Sequence, residues 1–193
     1  MLVMDMMILA SIWDGMLEAF KLLFTGDPEI WSIVFLSIRV SLTAVFFSAL
    51  VGVPIGCLIG LNKFPGKTFI VNLINTFMGL PPVVVGLGVF LLLSSTGPLG
   101  FLDLLYTPTA IIIAQFIIAT PIVAGISMAA VSSVDPLIID TAKSLGATKT
   151  QLWGTVIREA RVGILSGIVV GFGQSISEVG ASMIVGGNIR GVT

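Results

Sequence analysis

Residues 135–161 read DPLIIDTAKSLGATKTQLWGTVIREAR and form the longest polar stretch in a strongly apolar chain. Asp135 is suited to cap the N-terminus of a helix, and Pro136 then takes the first helical position, where its missing N–H costs no hydrogen bond. Gly146 is expected to end this helix, because glycine adopts the left-handed conformation after a helix without strain. The helix should have about ten residues and a length of about 15 Å, which is half of what a membrane span needs.

A second helix is expected to follow directly, because Thr148 and Gln151 have the spacing of a capping box. The first helix should have one apolar face, formed by Leu137, Ile138, Ala142 and Leu145. A short, capped helix with an apolar face between two membrane spans suits the docking of another protein. An ordinary helical loop explains the pattern equally well, so the pattern alone leaves both interpretations open.

The composition is that of an integral membrane protein. Of the 193 residues, 56% are hydrophobic and 10% are charged, and the mean hydropathy is +1.13, whereas soluble domains carry about 25% charged residues. The long apolar runs without alternation predict spanning helices rather than barrel strands. A net charge of −1 gives no basic surface for nucleic acid. The sequence has no histidine and one cysteine, Cys57, which excludes Cys/His metal sites, an internal disulfide and Cys–His or Ser–His catalysis within it.

The apolar runs predict an all-α, polytopic bundle in a single transmembrane domain, with spans at 30–61, 69–95, 108–131 and 155–178. Pro81-Pro82 interrupts the second span, and neither half is long enough to cross alone, so one kinked helix is favoured over a hairpin. Residues 12–24 have an apolar and a charged face, which predicts an amphipathic helix lying in the membrane interface.

Small residues recur at every fourth position in two of the predicted spans. The first ladder is Gly52, Gly56 and Gly60, and the second is Gly163, Gly167, Gly171 and Ser175. Such ladders allow helix backbones to approach closely, so both predict packing faces for neighbouring helices.

The basic residues indicate the orientation in the membrane. Six of them lie in the loop 62–67 and the stretch 135–161, which the predicted spans place on the same side: Lys63, Lys67, Lys143, Lys149, Arg158 and Arg161. Positively charged loops remain in the cytoplasm, so the polar stretch is predicted to be cytoplasmic.

Residues 140–147, DTAKSLGA, resemble the EAA loop of ABC transporter permeases from importers that use a soluble binding protein. Asp140, Ala142 and Gly146 match the acidic residue, the second alanine and the glycine of that motif, while Thr141 replaces the first alanine. The end of the motif departs from the family pattern, since Arg158 and Glu159 stand where leucine and proline are expected.

Two further segments resemble the molybdate, tungstate and sulfate permeases of this family. Residues 80–86, LPPVVVG, are similar to a run common to these permeases. Residues 176–189, ISEVGASMIVGGNI, are similar to the segment of these permeases near the outer end of a pore helix. Their sequence is most similar to that of the tungstate-type branch. The resemblance extends over residues 12–193.

The resemblance implies a type I ABC importer permease in the cytoplasmic membrane of a prokaryote. Two copies would form the translocation path for a tetrahedral oxyanion, most of all tungstate, with molybdate or sulfate as alternatives. An extracytoplasmic binding protein would deliver the ion, and a separate pair of ATPase subunits would hold ATP and Mg²⁺. The sequence itself has no ATP-binding motif, so we expect neither enzymatic activity nor a cofactor in this chain.

In that family the EAA loop is a coupling helix, which would here be 135–147. The residues expected to contact the ATPase are Asp140, Thr141, Ala142, Leu145, Gly146 and Ala147. Ala142 and Leu145 would fill a groove on the ATPase, and Gly146 would allow the turn that makes the helix protrude.

Five polar residues are candidates for the path or its gate: Gln174, Ser175, Ser177, Glu178 and Arg39. The first three could donate hydrogen bonds to a passing oxyanion, or could simply bond to neighbouring helices. A carboxylate repels a dianion, so Glu178 is expected to have a gating or structural role, such as a pair with Arg39 or Arg190, rather than a substrate contact. For Arg39, a side chain reaching to the membrane interface is favoured over one that steers anions.

Two other classes of function remain as alternatives. One is a membrane scaffold that recruits a cytoplasmic partner without transport, and the other is a secondary transporter, for which inverted repeats and buried charges would be expected. Members of the resembled family usually have another span after the segment that ends at Ile189, so we expect a C-terminal span to be missing from this sequence.

Overall fold

The computed structural model describes Gly15, Leu17, residues 28–189 and Thr193. These residues form helices, turns and loops, with no strand among them, which confirms the predicted all-α class. The helices, in chain order, are α1 (Pro28–Leu61), α2 (Lys67–Met78), α3 (Pro82–Leu93), α4 (Pro108–Ser132), α5 (Pro136–Ser144), α6 (Lys149–Glu159), α7 (Arg161–Ser177) and α8 (Gly180–Gly186), with a 3-10 turn at Gly100–Leu102.

The chain forms two compact units, Met1–Ile38 and Arg39–Thr193. In the first unit, the rings of Trp31 and Phe35 lie on α1 with their centroids 5.8 Å apart. The predicted amphipathic helix at 12–24 lies outside the described residues, apart from Gly15 and Leu17, which are both helical.

Two of the described helices, α1 and α4, are long and apolar enough to cross a membrane, with 34 and 25 residues. They correspond to the predicted spans 30–61 and 108–131, and each continues through an internal proline, Pro54 or Pro121. Two further pairs are bent, α2 with α3 by 94° and α7 with α8 by 60°. By length and composition, the described residues therefore contain two helices that can span a membrane, or up to four spans if each bent pair is counted as one.

The predicted kink in the span 69–95 is in fact a complete break between α2 and α3. Gly79 ends α2 by donating its N–H to the carbonyls of Asn75 and Thr76. Pro81 and Pro82 have no N–H to continue the helix, and Pro82 instead takes the first position of α3. Because two prolines follow a closed helix end, the helix is fully interrupted here, and α3 leaves at 94° to α2.

The predicted fourth span, 155–178, begins later than expected. Residues 155–159 belong to α6, and α7 starts at Arg161 after a one-residue break at the buried Ala160. α7 ends at Ser177, close to the predicted end of the span.

Helix α4 is the centre of the second unit, where α2, α3, α7 and α8 all contact it. Both glycine ladders also pack on α4. A Cβ atom added at Gly56 would lie 2.9 Å from Cβ of Ser127, and one added at Gly167 would lie 3.1 Å from Cβ of Ile126. The distance at Gly56 is too short for a Cβ atom and the distance at Gly167 is tight for one, so both ladders lie in close contact with α4, which confirms the predicted packing faces.

Polar side chains join α4 to helices on either side of it in the sequence. The buried hydroxyl of Ser48 on α1 donates to the carbonyl of Phe116 at 3.2 Å. The buried amide of Gln115 donates to the carbonyl of Ser175 on α7 at 3.0 Å. Hydrogen bonds of this kind fix the register of helices in an apolar bundle.

Candidate functional site

Both ends of α5 have the caps that the sequence predicts. The Asp135 carboxylate accepts a hydrogen bond from the N–H of Leu137 at 2.8 Å, and Pro136 takes the first helical position. Gly146 has a φ of 79°, in the left-handed region that side chains disfavour. The N–H of Ala147 then reaches back to the carbonyl of Ala142 at 3.1 Å. The α5 helix is therefore short and closed at both ends.

The capping box at the start of α6 is also confirmed. The Gln151 side chain accepts the N–H of Thr148 at 2.8 Å, and the Thr148 hydroxyl accepts the N–H of Gln151 at 3.4 Å. Because α6 begins three residues after Gly146, with Thr148 as its N-cap, the turn between the helices is held from both sides.

The predicted single apolar face of α5 is wrong, because its apolar side chains point in two directions. Ile138 and Ile139 pack inward against a buried cluster, which consists of Cys57, Val131, Val134, Val156, Ala160 and Ile164. Leu137 and Leu145 instead point outward, with 71% and 83% of their surface exposed. The inward face therefore consists of Ile138 and Ile139, and the second of these was not part of the predicted face. Leu145 is the most exposed large apolar side chain among the described residues.

The other predicted coupling residues surround Leu145. Asp140, Thr141 and Gly146 are exposed, while Ala142 and Ala147 are half-buried. Asp140 forms an ion pair with Lys143 at 3.3 Å, and both side chains are more than half exposed, so the pair contributes little to stability. The end of α5 therefore presents one large apolar side chain within a small polar surface.

The structure does not bring the predicted path residues onto one open surface. Ser175 is completely buried against α4, and its hydroxyl has no hydrogen-bond partner in the described part of the chain. Ser177 is exposed and donates to the carbonyl of Gln174 at 3.1 Å. Gln174 lines a cavity of about 250 Å³ at the break between α2 and α3. Gln174 therefore faces a cavity, while Ser175 lies at a contact between helices.

The contribution of Gln115 was missed by the sequence analysis. It is 4% exposed and its amide N–H donates to the carbonyl of Ser175, yet its amide oxygen has no partner among the residues that the structure describes. A usable signal was present, because Gln115 is the only side-chain amide in the apolar run 108–131. An amide in such a run must find a partner on another helix or leave a costly unpaired group.

Glu178 lies at the bend between α7 and α8, and its carboxylate binds the backbone of α8. Its Oε1 atom accepts the N–H of Ala181 at 2.7 Å, and its carbonyl accepts the hydroxyl of Ser182 at 3.1 Å. No described carboxylate forms an ion pair with Arg39, which is exposed on α1, and Arg190 lies outside the described residues. The contacts of Glu178 are those of a helix cap.

The Glu178→Ala variant is expected to be less stable than the parent chain by about 0.5–2 kcal/mol, because the N–H of Ala181 loses its acceptor. Glu178→Gln should retain most of this stability, since an amide oxygen can accept the same hydrogen bond. Thermal unfolding of the purified variants in detergent measures the difference. Equal destabilisation by both substitutions would show that the negative charge, rather than the hydrogen bond, is required.

The comparison with known proteins identifies the class of the chain. Residues 52–190 match the family described as the binding-protein-dependent transport system inner membrane component. The chain therefore belongs to this family, and it is a multi-pass membrane permease subunit of an ABC importer of the tungstate and molybdate group.

Individual relatives agree with this assignment. The chain is 46% identical over 158 residues to a probable anion ABC transporter permease protein of Haloferax volcanii, a match that covers 82% of this chain and 68% of the relative. It is 42% identical over 182 residues to the tungstate uptake system permease protein TupB of Peptoclostridium acidaminophilum, covering 94% and 80%. The molybdenum transport system permease protein ModB of Escherichia coli is 33% identical over 178 residues, covering 86% and 76%.

Proposed function

We propose that this chain forms, as a homodimer, the translocation path of a tungstate importer. A cytoplasmic ATPase dimer drives the importer, and an extracytoplasmic binding protein supplies the ion. The choice of tungstate is supported by two tungstate permeases among the relatives, at 42% and 34% identity over nearly the whole chain. Molybdate is the nearest alternative, since the molybdenum permease has 33% identity.

The observation that carries the coupling to an ATPase is the exposure of Leu145. A leucine that is 83% exposed at a capped turn is costly in water and gains free energy when a partner covers it. The caps on both sides fix the backbone of this turn before any partner binds, so little conformational entropy is lost on docking. Leu145 therefore acts as the apolar anchor for the ATPase, and Asp140, Thr141, Ala142, Gly146 and Ala147 form the polar and small-residue surround.

The path residues are proposed to have different roles. Gln174 faces a cavity and can offer its amide N–H groups to a passing oxyanion. Ser175 and Glu178 hold helices α7 and α8 in place. The carbonyl of Ser175 accepts a hydrogen bond from the side-chain amide of Gln115 on α4, and the carboxylate of Glu178 accepts one from the N–H of Ala181 in α8. Ser177 and Arg39 are exposed on the surface of this single chain. A permease requires weak contacts along its path, so discrimination among oxyanions is assigned to the binding protein.

Reconstitution tests the proposed function directly. The chain is assembled with its ATPase partner in proteoliposomes that contain ATP, and the loaded binding protein is added outside. We expect tungsten to accumulate inside, as measured by mass spectrometry of the metal, and to require ATP. An equal concentration of molybdate should reduce this tungsten uptake by less than half, and sulfate should reduce it less than molybdate does.

Different failures of this experiment have different meanings. Stronger competition by molybdate or sulfate would assign the importer to that ion instead. Recruitment of the ATPase without any ATP-dependent uptake would indicate a scaffold that does not transport.

A further inference from the structure

A cavity of about 560 Å³ lies between α5, the loop that follows α1, and the end of α4. Its wall contains three lysines, Lys63, Lys67 and Lys143, and one carboxylate, that of Asp140. The wall therefore has an excess of positive charge, although the chain as a whole has a net charge of −1. The three lysines come from separate parts of the sequence, so the fold is what brings them together.

The ammonium groups still have hydrogen-bond donors available for a ligand. Lys67 donates to the carbonyls of Gly60 and Asn62 at 3.4 and 3.0 Å, which holds its ammonium group at the end of α1. The ammonium group of Lys143 donates to the carboxylate of Asp140 at 3.3 Å, and it has no other hydrogen-bond partner among the described residues. An ammonium group has three donors, so each of these two lysines retains at least one. Within the described part of the chain, Lys63 has no ion-pair partner.

The remainder of the wall is largely apolar. It includes Trp153, Val156, Leu61 and Val131. A small oxyanion could use the lysines but would leave this apolar surface and most of the volume unfilled. The cavity therefore suits a ligand that carries an anionic group next to an apolar part.

The cavity also lies level with the ends of the two helices that can span the membrane. Leu61 and Ser132 line it, and they are the last residues of α1 and α4, the two helices long enough to cross a membrane. The opening is thus level with the ends of the spans, on the side that the basic loops assign to the cytoplasm. Basic pockets between spans at this level are typical sites for acidic lipid headgroups.

We propose that this cavity binds the phosphate of an anionic phospholipid headgroup. Lys63 and Lys143 supply the main charge contacts, and the glycerol and upper acyl carbons of the lipid lie against Trp153 and Val156. Because Lys143 is on α5 and Lys63 follows the end of α1, the bound lipid contacts both of these helices' ends and connects them. The proposal does not depend on which oxyanion the importer carries.

Photo-crosslinking tests the proposal in the assembled transporter. The permease and its ATPase partner are placed in nanodiscs that contain phosphatidylglycerol with a photoreactive diazirine near its headgroup, and labelled peptides are identified by mass spectrometry. The peptide that contains Trp153 should be labelled, and a phosphatidylcholine probe of the same design should label it much less.

Matched variants separate the cavity from general surface charge. In Lys63→Gln/Lys143→Gln, labelling of the Trp153 peptide should fall by about tenfold at sub-saturating probe. Lys149→Gln/Arg158→Gln removes two exposed basic residues of the same region that do not line the cavity, and labelling should not change. Lys67 is left intact because its bonds hold the backbone, and size-exclusion chromatography checks that each variant remains assembled.

Several results would overturn the proposal. Equal labelling by the two lipids, or equal loss in the two double variants, would mean that there is no specific headgroup site. Displacement of the probe by inorganic phosphate or tungstate would assign the cavity to a free oxyanion. Labelling that appears only when the ATPase is omitted would show that a protein partner occupies the cavity.

Discussion

The Leu145→Asp variant should lose ATP-driven uptake almost completely while its fold remains intact. Leu145 is 83% exposed, so its replacement removes almost no packing within the chain. In a docked complex, burial of a leucine contributes about 1.5–3 kcal/mol, and a buried aspartate without a partner adds a further cost. Binding of the ATPase should therefore weaken by at least about tenfold. Pull-down of the ATPase and uptake in proteoliposomes measure both effects.

Leu137→Asp is the matched control for this prediction. Leu137 is also an exposed leucine of the α5 region, at 71%, but it lies at the opposite end of the helix. Its substitution should leave most of the uptake. If Leu137→Asp is as damaging as Leu145→Asp, the docking surface includes the whole helix. If neither variant loses uptake, α5 is not the coupling site.

The Gly56→Ala variant should be destabilised by roughly 1–3 kcal/mol, although alanine normally favours a helix. A Cβ atom at Gly56 would collide with the carbonyl oxygen of Ala124 and lie 2.9 Å from Cβ of Ser127. Both neighbours belong to α4, so the collision can be relieved only by moving α1 away from it. Thermal unfolding in detergent and the yield of folded protein from membranes measure the loss.

Gly173→Ala is the same chemical change as Gly56→Ala, but it is not expected to destabilise the protein. Gly173 lies in α7, and no described atom from outside its own stretch of helix lies within 4 Å of the position that its Cβ would occupy. The added methyl group should therefore leave stability unchanged or raise it slightly, because alanine is the better helix former. A Gly56→Ala variant as stable as Gly173→Ala would contradict the close packing of α1 on α4.

The features that the sequence predicted correctly are those with local causes. The caps at Asp135, Gly146 and Thr148 depend on residues only a few positions apart, so their pattern is visible without the fold. The small-residue ladders were also recognisable, because a helix brings every fourth residue to the same face. The sequence pattern did not indicate that both ladders pack against α4, because these contacts join distant parts of the chain.

The features that the sequence missed depend on contacts or on angles. Pro81-Pro82 signalled an interruption, but the size of the bend is set by how α2 and α3 pack on α4. The direction of each apolar side chain on α5 depends on the position of the buried cluster, which accepts Ile138 and Ile139. The lysine-lined cavity joins residues from the loop after α1 to residues of α5 and α6, so no local pattern predicts it.

The cluster beneath α5 has a mechanical consequence. Four of its members lie on four different helices, Cys57 on α1, Val131 on α4, Val156 on α6 and Ile164 on α7, and Ile138 and Ile139 attach α5 to them. Close-packed interiors transmit strain rather than absorb it. A displacement of Leu145 is therefore transmitted through this cluster to the C-terminal ends of α1 and α4 and to the start of α7 at the same time.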